Sequence, residues 1–151
     1  LYLAAAEKAA ADAETRPANT NLAVKPGGHV LFIDDEESMV RLVKIYLQRL
    51  GYRVSGYVQA EDALQVLREN PDDFDLVISD FNMPGTSGIR VAKDVHSIRP
   101  NLRVALASGY VDESMKAQVA NAGIELVIPK ADGMELFCNA VELLMSKRAR
   151  I

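Results

Sequence analysis

Side chains that can bind a metal ion or a phosphoryl group follow four of the short apolar runs in this chain. They are the carboxylates of Asp34, Asp35 and Asp80, the hydroxyl of Ser108 and the ammonium of Lys130. Two carboxylates about 4 Å apart repel by roughly 4 kcal/mol at an effective dielectric of about 20, so a cluster built only for stability is a poor choice. Mg²⁺ takes oxygen ligands, accepts one or two carboxylates and leaves positions open for phosphate. The residue types therefore indicate a Mg²⁺ site.

The charges of this set suit phosphoryl transfer to a carboxylate. Three carboxylates, Mg²⁺ and Lys130 sum to zero. In an acyl phosphate the single negative charge of Asp80 would become about two, which the metal and the ammonium can still neutralise. The Ser108 hydroxyl would donate to a phosphoryl oxygen. Taken singly, each residue has an ordinary explanation: helix N-caps for Asp34 and Asp35, a solvated Lys130, and a turn residue for Ser108. Their placement at successive strand ends favours one shared site.

The elements that position these residues follow from hydrophobic periodicity. Short runs that are apolar at consecutive positions alternate with longer stretches whose apolar residues recur every three or four positions, which is typical of βα units. Consecutive apolar positions are expected for strands buried on both faces of a parallel sheet. The five predicted strands are Val30–Ile33, Val54–Val58, Phe74–Ile78, Leu102–Ala107 and Ile124–Ile128.

Five helices are predicted between and after these strands. The first places one apolar face toward the core and ends at Gly51. Five βα units with right-handed crossovers give an α/β fold with a doubly wound five-stranded parallel sheet, which binds ligands at the carboxyl ends of its strands. The apolar face predicted for the first helix contains Met39, Val43, Tyr46, Leu47 and Leu50. The second and third helices are predicted over 60–69 and about 87–98. The fourth carries Met115, Val119 and Ala122, and the fifth carries Phe137, Val141 and Leu144.

The chain is expected to hold one folded domain with extensions. Its 151 residues suit a single core. Residues 1–28, in which nine of the first 24 are Ala, are predicted to be a linker or the end of a preceding domain, largely disordered. Residues 29–146 form the predicted domain, and residues 147–151 form a basic tail.

Composition excludes several classes of partner. The net charge of −4 and the absence of a basic stripe argue against nucleic acid. No apolar run approaches the roughly 18 residues of a spanning helix, so no direct membrane contact is expected. The single cysteine, Cys138, excludes an internal disulfide, suits a reducing cytoplasm and is expected to be a partly buried, inert thiol.

Four separated motifs give the chain a family resemblance over about residues 29 to 146. They are Asp34-Asp35, the stretch Asp-Phe-Asn-Met-Pro-Gly-Thr-Ser-Gly at 80–88, Ser108-Gly109-Tyr110, and Lys130. The chain resembles the receiver domains of response regulators in two-component signalling. The resemblance implies the strand order 2-1-3-4-5 and a phosphoacceptor role for Asp80. It also implies that Asp35, Asp80 and the backbone carbonyl of Asn82 bind Mg²⁺, with Asp34 acting mainly through water.

By the same resemblance, Lys130 and Ser108 hold the phosphoryl group. Two positions depart from the family pattern. Val127 stands where an aromatic residue usually lies three positions before the lysine, and Ala131 stands where a proline usually follows it. The usual coupling between the hydroxyl residue and that aromatic ring is therefore not expected here.

The resemblance implies a histidine kinase as phosphodonor. Leu1-Tyr2-Leu3, the Ala-rich linker and the short tail together predict the C-terminal receiver of a hybrid sensor histidine kinase. In such a chain, a histidine phosphotransfer protein would be a further partner. The alternatives are a stand-alone single-domain response regulator and a degenerate receiver that acts only as a binding module.

Two other classes of function fit the residues less well. A haloacid-dehalogenase-like phosphatase needs a second Asp two residues after its nucleophile as general acid, and Asn82 occupies that position. A flavin or dinucleotide domain needs a phosphate-binding loop after the first strand, where Asp34–Glu37 would repel phosphate. The sequence therefore predicts a phosphoacceptor rather than a turnover enzyme.

Overall fold

The predicted strands form one parallel sheet. The computed structural model describes residues 28–147, so residues 1–27 of the predicted linker and residues 148–151 of the predicted tail lie outside the described residues. The strand order is β2-β1-β3-β4-β5, which confirms the predicted 2-1-3-4-5 arrangement. The strands are β1 (His29–Ile33), β2 (Arg53–Tyr57), β3 (Leu76–Asp80), β4 (Arg103–Ser108) and β5 (Leu126–Pro129).

Five helices cover the two faces of this sheet. Before the third helix, Asn82–Met83 pairs with Thr86–Ser87 in a short antiparallel ladder, and Gly85 supplies the positive φ of 83° that its turn requires. The helices are α1 (Glu37–Arg49), α2 (Ala60–Glu69), α3 (Gly88–Ile98), α4 (Glu113–Asn121) and α5 (Met134–Lys147).

The sheet separates two apolar cores. One lies under α1 and α5 and contains Phe32 and Phe137, whose rings meet edge to face at 6.0 Å between centroids. The other lies under α2, α3 and α4 and contains Leu31, Leu67 and Val95. Because β1 is central and covered on both faces, all five of its residues are buried, which explains its uninterrupted apolar run.

Side-chain caps begin two of the helices. The Ser87 hydroxyl accepts a hydrogen bond from the Arg90 N–H at the start of α3, and the Asp112 carboxylate accepts one from the Met115 N–H at the start of α4. Gly51, predicted to stop α1, has a φ of 99° just after the helix. These local signals account for where the three helices begin or end.

Three predicted strands begin too early because buried apolar residues also lie in loops. Phe74 is buried, but β3 begins at Leu76, and Leu102 is buried, but β4 begins at Arg103. Ile124 is likewise buried in the turn after α4, and β5 begins at Leu126. Tyr46, placed on the core face by periodicity, is 37% exposed, with the Arg49 guanidinium 5.6 Å from its ring centroid.

The described part of the chain begins inside the fold rather than outside it. Gly28, which composition assigns to the linker, is buried, and its carbonyl accepts the Arg53 N–H at 2.7 Å. A Cβ at this position would lie 2.7 Å from Met145 Cε and 2.9 Å from Tyr52 Cδ1. The chain therefore enters β1 between these two side chains.

Cys138 is a buried thiol on α5. Burial raises its pKa, and the charge of Glu142 raises it further. Since the thiolate is the reactive form, the expected unreactive thiol agrees with this environment. None of the helices within residues 28–147 combines the length and apolar character needed to cross a bilayer.

Gly88 should be required for the close approach of α3 to β3. A Cβ there would lie 2.7 Å from the Asp80 carbonyl oxygen and 2.8 Å from Leu106 Cδ2, whereas one at Gly109 would meet nothing within 4 Å. We expect Gly88→Ala to destabilise the fold by about 1–3 kcal/mol through overpacking, and Gly109→Ala to change stability by less than about 0.5 kcal/mol. Urea unfolding of both variants tests this, and equal midpoints would contradict it.

Candidate functional site

The carboxyl edge of the sheet brings the predicted residues together. Asp34 follows β1 directly, Asp80 ends β3, Ser108 ends β4 and Lys130 follows β5. Because all five strands are parallel, these positions lie at one edge. One carboxylate oxygen from each of Asp34, Asp35 and Asp80 lies within 4.8 Å of the others. The predicted acidic cluster is therefore present.

Asp34 is held rigidly in the turn between β1 and α1. Its N–H donates to the Tyr57 carbonyl at 3.1 Å, and its Oδ1 accepts the Glu36 N–H at 2.9 Å. The residue is fully buried, whereas Asp35 beside it is exposed. The turn thus places one carboxylate in the protein interior and the next at the surface.

Asp80 is fixed by the backbone on both sides of it. The Phe81 N–H donates to the Ala107 carbonyl at 2.8 Å, which extends the β3–β4 ladder past the carboxylate. The Gly88 N–H donates to the Phe81 carbonyl at 2.8 Å, and this bond closes the loop that leads into α3. Asp80 is buried, with 8% of its surface exposed.

Lys130 joins the two buried carboxylates. Its Nζ lies 2.7 Å from Asp34 Oδ2 and 2.8 Å from Asp80 Oδ1. Lys130 begins a 3₁₀ turn, Lys130–Asp132, immediately after β5, so its side chain starts from the same sheet edge as the carboxylates. One ammonium therefore bridges strand ends that are not adjacent in sequence.

The three carboxylates of the cluster outnumber its one ammonium, and burial and repulsion between them disfavour this excess negative charge. Burial raises the pKa of Asp80, and the charges of Asp34 and Asp35 raise it further, although the hydrogen bond and charge of Lys130 oppose this. For Lys130, burial lowers the pKa, but the close ion pairs with Asp34 and Asp80 outweigh burial and the net pKa is raised. The ammonium therefore stays protonated at neutral pH and compensates only part of the carboxylate charge.

The donor atoms of the cluster fit a hard divalent cation. Three carboxylates and one ammonium leave a formal charge of −2, which one Mg²⁺ cancels. The buried Asp34 Oδ2 makes an ion pair with Lys130 but has no hydrogen-bonded partner of good geometry among the described residues. Carboxylate oxygen is the ligand type that Mg²⁺ prefers. Asp34, Asp35 and Asp80 therefore form an acidic cluster of the kind that binds Mg²⁺.

Ser108 lies at this edge but its hydroxyl is engaged elsewhere. The hydroxyl donates to the Tyr110 carbonyl at 2.6 Å and accepts the Tyr110 N–H at 3.2 Å. The Tyr110 side chain is 71% exposed. Ser108 must therefore exchange the Tyr110 carbonyl for another acceptor before it can donate to a bound group.

The remaining predicted positions lie around the cluster. Asn82 is exposed in the short ladder after β3. Val127 in β5 packs against the α2–α4 core, and Ala131 lies in the turn after Lys130. The sequence motifs assigned no role to Gly88, although this residue lies in the motif at 80–88. A glycine at the first position of a helix that follows a strand end was the available signal for close packing.

Comparison with known proteins identifies relatives of this chain. The family described as "Response regulator receiver domain" matches residues 30–142. The two-component response regulator ARR10 from Arabidopsis thaliana is 40% identical over 86 residues, which cover 57% of this chain and 15% of that protein. This chain thus corresponds to a small part of that relative's length.

Two solved structures share the fold. The receiver domain of the hybrid histidine kinase CckA is 28% identical with a TM-score of 0.65, and the alignment covers 78% of this chain and 99% of that one. The response regulator TrrA from Thermotoga maritima, solved with Mg²⁺ and a beryllium fluoride, is 26% identical with a TM-score of 0.66 and coverages of 78% and 98%. Each alignment covers almost the whole length of the solved domain.

Mg²⁺ should stabilise the fold by binding at the acidic cluster. At about ten times the dissociation constant, linkage predicts about 1.4 kcal/mol, which raises the melting temperature by a few degrees. Asp35→Asn should abolish most of this response because it removes an exposed ligand while leaving the buried ion pairs intact. Thermal melts over a Mg²⁺ series measure the effect.

The matched control is Asp72→Asn. Asp72 is also exposed, but it lies in the loop before β3, at the opposite edge of the sheet. Its substitution removes the same charge from the protein and should leave the Mg²⁺ response unchanged. Equal responses in Asp35→Asn and Asp72→Asn would exclude the acidic cluster as the metal site.

Proposed function

The chain belongs to the response regulator receiver domain family of two-component signal transduction, and on that premise we propose that Asp80 accepts a phosphoryl group from a histidine kinase. The observation that carries this proposal is the contact of Lys130 Nζ with both Asp34 and Asp80 inside a three-carboxylate cluster. A buried nucleophile, a fixed cation and a metal-binding acidic pair lie at one sheet edge. This arrangement suits transfer of a phosphoryl group onto a carboxylate.

Asp80 is the nucleophile in this proposal. A carboxylate oxygen forms a bond to the phosphorus of the donor, the bond from phosphorus to the donor nitrogen or oxygen breaks, and an acyl phosphate remains on Asp80. Lys130 supplies a charge-assisted hydrogen bond to a phosphoryl oxygen, having held the carboxylate at 2.8 Å beforehand. Because Asp80 is buried against the β3–β4 ladder, its position does not depend on a mobile loop.

The metal-binding part of the proposal concerns four residues. Asp35, Asp80 and the backbone carbonyl of Asn82 would hold Mg²⁺ directly, with Asp34 acting mainly through water. Mg²⁺, when bound, would neutralise charge on the phosphoryl oxygens. Asp34 also holds Lys130 at 2.7 Å, so one carboxylate positions the ammonium on which the phosphoryl group depends.

Ser108 is proposed to bind the phosphoryl group after it has formed. Its hydroxyl must leave the Tyr110 carbonyl, with which it makes a 2.6 Å hydrogen bond. Releasing that bond frees the backbone of the β4–α4 loop to move. Since Val127 offers no ring at strand β5, we propose that this loop, rather than an aromatic side chain at position 127, carries the conformational signal.

Transfer onto Asp80, rather than turnover, is the proposed activity. Asn82 lies two residues after Asp80 and has no acidic proton for a leaving group. The domain would therefore receive the phosphoryl group and hold it, or pass it to a histidine phosphotransfer protein. A cytoplasmic location is proposed with the kinase partner.

The parent chain is proposed to be a hybrid sensor histidine kinase. The support is the likeness to the receiver of the hybrid kinase CckA. Gly28 enters β1 at the sheet edge opposite Asp80, so a preceding domain would not cover the acidic cluster through its point of attachment. The alternative is a stand-alone single-domain response regulator.

Phosphorylation of Asp80 should be directly measurable. Incubation with acetyl phosphate or phosphoramidate and Mg²⁺ should add one phosphoryl group to the intact mass of the protein. Asp80→Asn should remove the adduct because the nucleophile is lost, and chelation of Mg²⁺ should prevent it. Asp72→Asn, which removes a carboxylate from the opposite edge, should label like the parent.

Two results would contradict the phosphoacceptor assignment. One is an adduct that persists in Asp80→Asn, which would place the phosphoryl group elsewhere. The other is the absence of any adduct in the parent at a Mg²⁺ concentration that raises its melting temperature. In that case the degenerate receiver, a binding module without phosphotransfer, would account for the fold.

The hybrid-kinase proposal is tested on the reading frame upstream of Leu1. We expect it to encode a histidine-bearing helical segment and a kinase ATP-binding domain, joined in frame to this chain. An in-frame start codon within a few residues, with no ATP-binding motif before it, would overturn the hybrid context. The assignment of Asp80 would be unaffected.

A further inference from the structure

A second group of polar side chains lies at the amino-terminal edge of the sheet, away from Asp80. His29, the first residue of β1, is buried with 6% exposure. Its Nε2 lies 2.8 Å from Ser55 Oγ. Its Nδ1 lies 3.0 Å from the Asp73 carbonyl oxygen and 3.5 Å from Asp73 Oδ2. The Ser55 hydroxyl thus contacts the His29 imidazole, which in turn contacts Asp73.

The partners of the ring determine which nitrogen carries the proton. A carbonyl oxygen only accepts hydrogen bonds, so in the neutral ring Nδ1 is the protonated nitrogen and donates to Asp73. Nε2 then has a free lone pair and accepts the Ser55 hydroxyl proton. This is the tautomer in which an imidazole acts as general base toward a serine.

The surrounding structure holds the imidazole in place. The His29 N–H donates to Asp75 Oδ2 at 2.9 Å, and the Asp75 N–H donates to the His29 carbonyl at 2.8 Å. The Phe74 ring lies 4.4 Å from the imidazole, between centroids. The base is therefore fixed by backbone, side-chain and ring contacts.

Ser55 is more exposed than the imidazole that it contacts. It lies in β2, which is an edge strand of the sheet, and it is partly exposed. Arg53, two residues earlier on the same face of β2, has a guanidinium nitrogen 3.9 Å from Asp73 Oδ1. Asp73 lies at the surface, with 46% of its side chain exposed.

We propose that Ser55 is a second nucleophile of this domain, activated by His29, and that it accepts the acyl group of small carboxylic esters. Ser55 Oγ forms a bond to the acyl carbon as its proton passes to His29 Nε2. The ester C–O bond then breaks, and the leaving alcohol takes that proton, so an acyl-serine and a free alcohol result. In this proposal Arg53, on the same face of β2, stabilises the charge on the acyl oxygen, and Asp73 is a positioning residue for the imidazole.

A fluorophosphonate probe tests the reactivity of Ser55. Attack by Oγ forms the O–P bond and releases fluoride, leaving a stable adduct that peptide mass spectrometry locates. We expect Ser55 to be the labelled serine, and Ser55→Ala to abolish the adduct. Ser38→Ala is the matched control, because Ser38 is an exposed hydroxyl on α1, and it should leave labelling unchanged.

Substitutions of the other two residues separate activation from exposure. His29→Gln should slow labelling of Ser55 by roughly 10²-fold, the range of general-base catalysis. Asp73→Asn should slow it less, and Asp73→Glu should restore it. Asp80→Asn should label at the parent rate, so this result is independent of phosphotransfer. Because His29 is buried, the melting temperature of His29→Gln is measured alongside.

Ser55→Cys provides a measurement that remains informative if the His29→Gln variant does not fold. In a Cys138→Ala background, the introduced thiol should react with iodoacetamide faster than the same thiol in the unfolded chain, because His29 favours the thiolate. Slower reaction than in the unfolded chain would overturn the proposal. So would parent labelling that is spread over exposed serines, or unchanged labelling in a folded His29→Gln variant.

Discussion

The contact of one buried ammonium with two buried carboxylates determines how the carboxyl edge of this sheet is organised. Lys130 Nζ lies within 2.8 Å of both Asp34 and Asp80, and these residues come from the ends of β5, β1 and β3. Removing Lys130 would leave two carboxylates buried and uncompensated, which is strongly unfavourable. The ion pairs therefore tie three strand ends together, and they require the strand order that places β1 beside β3.

Lys130 compensates only part of the carboxylate charge, and the remaining negative charge can attract a cation. A third carboxylate, Asp35, lies at the surface of the cluster, and the pKa of Asp80 is raised by its burial and by its acidic neighbours despite Lys130. The fold thus carries unfavourable electrostatic energy at a site where a divalent cation and a phosphoryl group can be accommodated. Rigid backbone contacts prevent the cluster from relaxing: the Phe81 and Gly88 N–H groups fix the segment after Asp80, and the absence of a Cβ at Gly88 lets α3 approach it.

The two edges of the sheet have different polar environments. At the carboxyl edge, charges of like sign are crowded and an ammonium offsets part of them. At the amino-terminal edge, His29, Ser55 and Asp73 form a series of hydrogen bonds in which every ring nitrogen has a partner. Gly28 enters β1 beside this second group, so whatever precedes the domain attaches near His29 and away from Asp80. The effect of a substitution at one edge can therefore be measured separately from the groups at the other edge.

The sequence by itself determined the fold class, the strand order through family resemblance, and the residues of the acidic cluster, because alternating apolar periods and strand-end polar residues are local signals. It could not determine where β3 and β5 begin, since Phe74 and Ile124 are buried in loops and resemble strand residues in sequence. Only the tertiary structure decided that Lys130 bridges Asp34 and Asp80, that the Ser108 hydroxyl is bound to the Tyr110 carbonyl, and that His29 meets Ser55 and Asp73. These contacts join residues distant in the chain or depend on one side-chain rotamer, and hydrophobic periodicity carries information about neither.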